Sequence, residues 1–235
     1  MRFVLVIVLL FLISTLAWAG TWRDDFEGEN LDDWKPDTLG RAEKVEWKIE
    51  DGELSGKMIN NLPDNWITTI VTGSTDWDNY DLQVKVKLVG EKQVGWSGLG
   101  IAVRSQAQVL TGFYSLAFFL NQVAAYKRQV FNVVFFLAKP MDVVPNKWYK
   151  LKIAVHGKHI EYYLDNHLLT KIDDNTFLSG AICLWIANLH VHFDDVIISG
   201  PGIPDGGRWD PSKHGEMVNL KAKLATTWGK TKQVR

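Results

Sequence analysis

Residues 146–166 constrain the fold of this chain more than any other stretch. Polar and apolar residues alternate through Trp148-Tyr149-Lys150-Leu151-Lys152-Ile153-Ala154-Val155-His156 up to a Gly157-Lys158 corner. The alternation resumes in His159-Ile160-Glu161-Tyr162-Tyr163-Leu164 and meets a second corner at Asp165-Asn166. A period of two places successive side chains on opposite faces, and short corners with Gly or Asn join antiparallel neighbours. The stretch predicts consecutive hairpins. Strand signals continue through 179–186 and 193–198, and no long segment shows helical periodicity.

The first nineteen residues are set apart before the fold is read. Arg2, an apolar run over 3–13 and Ala17-Trp18-Ala19 match a secretory signal peptide, with cleavage expected after Ala19. The run is shorter than the roughly 20 residues a bilayer span needs. No Cys stands at the cleavage point for lipid attachment. A secreted or periplasmic chain with no transmembrane segment after cleavage is the expectation. The mature part, roughly 215 residues, suits one all-β domain. The single Cys183 lies in an apolar strand pattern, so no intrachain disulfide is available and a core role is expected.

Charge excludes one class of partner. Between Gly20 and Pro204 there are 18 Lys and Arg against 24 Asp and Glu, an acidic body that argues against nucleic acid. Residues 205–235 reverse the balance, with 7 basic against 3 acidic residues. That basic tail is a candidate for contact with an anionic envelope surface, or a solvated end.

Further strands are expected along the chain. Residues 45–49 and 53–57 read as a hairpin about Asp51-Gly52, and 80–88 reads as a strand with Tyr80, Leu82, Val84, Val86 and Leu88 on one face. The runs at 99–105, 113–120, 123–128 and 131–138 are more continuously apolar, which predicts central strands covered on both faces. Two packed antiparallel sheets bury this many strands most simply. After Ser199 a Gly- and Pro-rich stretch breaks the pattern, so the domain is assigned to 20–200 and residues 201–235 to linker and basic tail. Residues 220–228 read as a short helix.

The order of several motifs carries a resemblance. Asp25-Phe26-Glu27-Gly28 with Trp34, Trp47-Lys48-Ile49-Glu50-Asp51-Gly52-Glu53-Leu54, Gly98-Leu99-Gly100-Ile101-Ala102-Val103-Arg104, Trp148-Tyr149-Lys150-Leu151 and Phe193-Asp194-Asp195-Val196 together resemble the concanavalin A-like lectin/glucanase superfamily. The bacterial branch with laminin-G-like and 3-keto-disaccharide hydrolase-like domains is the most similar. A galactose-binding-like module is the competing sandwich, and the two late hairpins favour the first. The resemblance implies an all-β jelly-roll sandwich whose relatives bind carbohydrate, cleave it or serve in adhesion, often with structural calcium. Fold alone does not choose among these.

Glycoside cleavage needs two carboxyls across the scissile bond. The Glu-x-Asp-x-Glu run that the superfamily's glucanases use is absent, Glu161 stands alone in its strand, and Asp24, Asp25, Glu27, Asp32 and Asp33 read equally as a solvated corner. Sugar binding needs flat aromatic faces and planar polar groups. Trp96, Arg104, Tyr114, Tyr126 and Arg128 offer both, if the Gly100-Ala102-Arg104 side of its strand is the open one. The same residues also read as core, rim or ion-paired groups. A non-catalytic glycan-binding module is therefore expected, with a glycoside hydrolase of the 3-keto type and a cell-envelope adhesion module as alternatives.

Two metal readings follow. Asp25 and Glu27 near the first strand and Asp195 near the last are candidate ligands of a structural calcium, because those strands commonly pair in such sandwiches. Asn188, His190, His192 and Asp194 alternate on one strand face, and two such His chelate zinc when a third ligand approaches. No third ligand is evident in the sequence, so that face is read as a polar outer surface.

Overall fold

Left-handed backbone marks where the chain reverses. Asp51 and Gly52 have φ of +53° and +74°, and Asp165 and Asn166 have +48° and +67°, as the two central positions of tight hairpin turns require. Asp, Asn and Gly are the residues that tolerate this region, which is why the turn chemistry read correctly from the sequence.

The computed structural model describes residues 19–37, 45–58, 67–90, 97–106, 111–119, 121–130 and 132–214. Sixteen strands and no helix occur among them: β1 (Ala19–Asp24), β2 (Lys35–Asp37), β3 (Val45–Glu50), β4 (Glu53–Met58), β5 (Thr68–Thr72), β6 (Tyr80–Leu88), β7 (Gly98–Ser105), β8 (Gly112–Phe119), β9 (Gln122–Gln129), β10 (Asn132–Pro140), β11 (Trp148–His156), β12 (His159–Leu164), β13 (His167–Asp173), β14 (Ala181–Ala187), β15 (His190–Pro201) and β16 (Gly206–Arg208). No helix long and apolar enough to cross a membrane occurs among the described residues. Residues 1–18 of the expected leader and residues 215–235, including the expected helix at 220–228, lie outside them.

The strands form two sheets. One runs β13-β12-β11-β6-β15-β1-β16, with the β3–β4 hairpin joined to β15 through β4; the other runs β10-β9-β8-β7-β14-β5-β2. This is the jelly-roll sandwich expected. Its core lies between the sheets: Leu82, Val84, Leu151, Ile153 and Ile198 of the first face Ile101, Leu116, Ile182 and Leu184 of the second, all fully buried. Each such side chain contributes about 1.5–3 kcal/mol by leaving water. β6 shows the alternation most plainly, buried at every second position with the intervening residues partly solvated.

Two boundaries differ from expectation. β10 was expected to be covered on both faces, yet it is the edge strand of its sheet, and Val133, Val134 and Phe135 are 37–51% exposed. Among the described residues it pairs with β9 alone, and within its apolar run Phe136 and Leu137 pack against the core. The segment assigned to a linker from residue 201 instead packs on the sandwich. Ile203 enters the core, and β16 lies parallel to β1, with Trp22 opposite Gly206 and Asp24 opposite Arg208. Gly207, at φ +86°, permits this: a Cβ there would come within 1.8 Å of the Arg23 carbonyl oxygen.

Candidate functional site

Directly opposed residues of an antiparallel sheet share a face, so the register of the seven-stranded sheet shows which residues lie on the side turned away from the first sheet, and most of them form a second buried apolar cluster. One row crosses it as Trp185, Gly100, Ala117 and Ala124, and the next as Cys183, Ala102, Ser115, Tyr126 and Phe135. The small residues leave a shallow floor on which Trp185 lies, its Nε1 within 2.8 Å of where a Cβ of Gly100 would stand. That Nε1 donates to Ser115 Oγ at 3.0 Å, and Ser115 donates on to the Ile101 carbonyl at 2.8 Å. A ladder of rings results. Phe119 stands 6.0 Å from Trp185 and 6.2 Å from Tyr126, and Tyr126 stands 5.6 Å from Phe135.

The ladder is closed at one end and open at the other. Trp185 is 1% exposed and Tyr126 4%, whereas Phe135 on the edge strand is 51% exposed. Arg128 occupies the adjoining row between Phe113 and Val133, and its Nε donates to the Val130 carbonyl at 2.9 Å. Burial raises the Tyr126 phenol far above its ordinary range, so it stays a neutral hydrogen-bond donor. None of the five strands β14, β7, β8, β9 and β10 carries an Asp or Glu.

The sequence-predicted group divides between the two faces. Tyr126 and Arg128 belong to the outer face, and Trp96 lies outside the described residues. Arg104 does not join them: it sits at a register shift between β7 and β14 with φ +51°, and is fully buried. Its Nε and Nη2 donate to the Asp78 carbonyl at 3.2 and 2.8 Å, and its Nη1 to the Phe177 carbonyl at 3.0 Å. Tyr114 lies opposite Val103 on the core face. Its hydroxyl donates to Asp174 at 2.5 Å and accepts from the Phe177 N–H at 3.2 Å, and burial followed by the Asp174 carboxylate pushes the phenol up to about 12. Lys127 closes this group on Asp174 and Thr176 at 2.6 and 2.7 Å. Arg104 and Tyr114 thus fasten the connection from β13 to β14 across the sandwich rim. Trp185, Phe119 and Phe135 are the ladder residues that the sequence reading passed over; the alternation of Cys183 with Trp185 was the signal available for the first.

The three carboxylates expected to bind calcium converge only in part. β1 and β15 pair as anticipated, with Asp24 opposite Val196. Asp25 and Asp195 both approach His214, whose Nε2 lies 3.4 Å from one and 3.6 Å from the other. Glu27 instead pairs with Lys213, and Lys85 also pairs with Asp195. The Asp210 N–H donates to Asp25 at 2.6 Å, and Trp209 stacks on His214 with ring centroids 3.7 Å apart. Cations and a backbone donor from the chain itself therefore face all three acids.

This geometry has relatives. The sandwich is similar in fold to the carbohydrate-binding module CBM66 from Bacillus subtilis, at 15% identity over 73% of this chain and 98% of that one, with a TM-score of 0.59. It is also similar to a Bacillus licheniformis β-glucanase, at 14% identity, 76% and 97% coverage and a TM-score of 0.55. The catalytic domain of a Thermotoga petrophila laminarinase gives 11% identity, 77% and 97% coverage and 0.52. No curated protein matches the chain. The family model of the 3-keto-alpha-glucoside-1,2-lyase-like domain matches residues 21–199, almost the whole of the two-sheet body. On that match the chain belongs to the 3-keto-alpha-glucoside-1,2-lyase-like family.

Proposed function

We propose that this protein recognises a glycan at the exposed edge of its seven-stranded sheet, about Phe135 and Arg128, and does not hydrolyse it. The observation that carries the reading is an exposed ring, Phe135, backed by the buried Tyr126 on five strands that hold no carboxylate. Rings stack on the C–H face of a sugar, and Arg128 supplies planar donors for hydroxyls. Hydrolysis by paired acids has no pair of groups to use on these five strands. The exposed Phe135 is where a sugar first meets the ladder. The leader-like first nineteen residues support a secreted or periplasmic setting, where such glycans are met.

The family match favours a second reading, elimination on a 3-keto-glucoside. A carbonyl at C3 acidifies the neighbouring C2–H; a base removes that proton, electrons form a C1–C2 double bond, and the C1 substituent leaves. The chemistry requires a base and a donor to the C3 oxygen. Tyr126 and Arg128 are donors, and neither serves as the base.

The experiment offers the mature protein a panel of polysaccharides and 3-keto-glucosides and follows depletion and released sugar together. Binding without release is expected, with affinity falling about tenfold in Phe135→Ala, the equivalent of 1.4 kcal/mol, and falling in Arg128→Ala. Aglycone release from the 3-keto-glucoside alone, leaving a sugar product with a C1–C2 double bond rather than the hydrated 3-keto sugar, decides for elimination.

A further inference from the structure

The opposite side of the molecule holds a group of residues that the glycan reading does not use. On the solvent face of the nine-stranded sheet, His190 and His192 of β15 stand beside the β3–β4 hairpin. Glu50 at the end of β3, His190 and His192 present one ligand atom each within 4.8 Å of one another. The two Nε2 atoms face each other at 3.2 Å, and Glu50 Oε2 lies 3.8 Å from His192 Nε2. We propose that Glu50, His190 and His192 form a binding site for a divalent first-row transition ion, with zinc the natural probe.

Several features support an ion there. Ligands about 2.0–2.2 Å from a tetrahedral ion stand roughly 3.3–3.5 Å apart, close to the separation of the two imidazole nitrogens. His192 is already oriented: its Nδ1 donates to the Glu53 carboxylate, which leaves the Nε2 lone pair free in the neutral ring. A carboxylate on the far nitrogen of a histidine is the usual support of a metal-ligating imidazole. Lys87 holds Glu53 at 2.7 Å, and Lys48 holds the other oxygen of Glu50 at 2.8 Å, so both acids are fixed from behind. Ser55 Oγ, 3.0 Å from His190 Nε2, and water are available to complete four-coordination. His192 is only 13% exposed in its side chain and Glu50 36%, a half-sheltered site open on one side. Two imidazoles with one carboxylate favour zinc and its neighbours over calcium or magnesium, which prefer all-oxygen shells. The ion would tie β3 to β15 across β4, clamping the hairpin to the sheet.

The competing arrangement needs no ion: His190 Nε2–H donating to His192 Nε2. The two are separated by titrating zinc into the tag-free mature protein after chelator treatment, with calorimetry for stoichiometry and cobalt absorption for geometry. One equivalent per chain is expected, with a four-coordinate cobalt spectrum and a melting temperature raised by about 5–10 °C at free zinc near 100 times Kd. His192→Ala and Glu50→Gln should abolish stoichiometric uptake, and Glu53→Gln should weaken it about 10–100-fold. Circular dichroism checks that each variant folds; Glu50 is the more exposed ligand, so its variant carries the test if His192→Ala does not fold. Absence of stoichiometric uptake, or uptake unchanged in His190→Ala/His192→Ala, overturns the site and leaves the histidine pair hydrogen-bonded to itself.

Discussion

At the scale of single residues, the decisive fact is that Arg104 is spent inside the molecule. Three of its donors are committed to the main-chain carbonyls of Asp78 and Phe177. Arg104→Ala is expected to cost about 2–4 kcal/mol in urea unfolding through orphaned carbonyls and lost packing. In refolded protein it should leave glycan affinity unchanged; a selective loss of binding at full stability would return Arg104 to the site. Asp174 tests the same rim by pH. Burial alone would raise its carboxyl, but Lys127, Thr176 and Tyr114 hold it well below the ordinary range. A lowered folded pKa contributes stability above the unfolded value, near pH 4, and that contribution disappears as pH falls through the folded value. Asp174→Asn is therefore expected to lower stability by about 1–3 kcal/mol at pH 7, with the difference from the parent shrinking in melts taken at progressively lower pH. Part of this was legible and part was not. Alternation in 181–186 placed Cys183 and Trp185 on one face, and parity in β7 placed Gly100 and Ala102 on a face as well. Arg104 escaped parity because the strand shifts register there. Gly180 allows this: a Cβ at that position would meet the Arg104 backbone at 2.3 Å, so its absence lets the two segments press together. Tyr80 then accepts from the Arg104 N–H and donates to the Gly180 carbonyl, a contact between residues a hundred positions apart.

At the scale of elements, the turns were readable and the edges were not. Asp51-Gly52 and Asp165-Asn166 announce their own backbone, and the hairpins they join match the expected limits to within a residue or two. Which strand lies last in a sheet depends on pairing across the whole chain, so β10 looked central and proved peripheral. β16 was hidden for a different reason: its three residues, Gly206-Gly207-Arg208, carry no strand propensity, and only the parallel seat beside β1 makes them one. The segment bearing β16 also changes what is expected of calcium. An added ion has to displace Lys213 and His214 from Asp25, Glu27 and Asp195. Calcium chelation is accordingly expected to leave the melting temperature of the mature protein unchanged within a degree or so. A fall of several degrees on chelation, restored by calcium, would make these carboxylates ligands after all.

At the scale of the whole molecule, the sandwich separates two chemistries that share no residue. One outer side is aromatic, largely buried apart from its edge strand and, across five strands, free of carboxylate; the other is charged and carries the histidine pair. The core between them holds the two surfaces apart, so a variant on one is expected to be silent on the other, and the binding and metal tests are independent. The first and last parts of the fold are likewise joined, with β1 lying between β15 and β16 and the Thr21 N–H donating to Asp205, 184 residues away. That seat has a consequence in time. β1 leaves the ribosome before every strand it pairs with and has no partner until β15 and β16 have followed, so the nine-stranded sheet closes around it late. High contact order of this kind makes folding late and comparatively slow, leaving β1 without its neighbours while the strands between are already made.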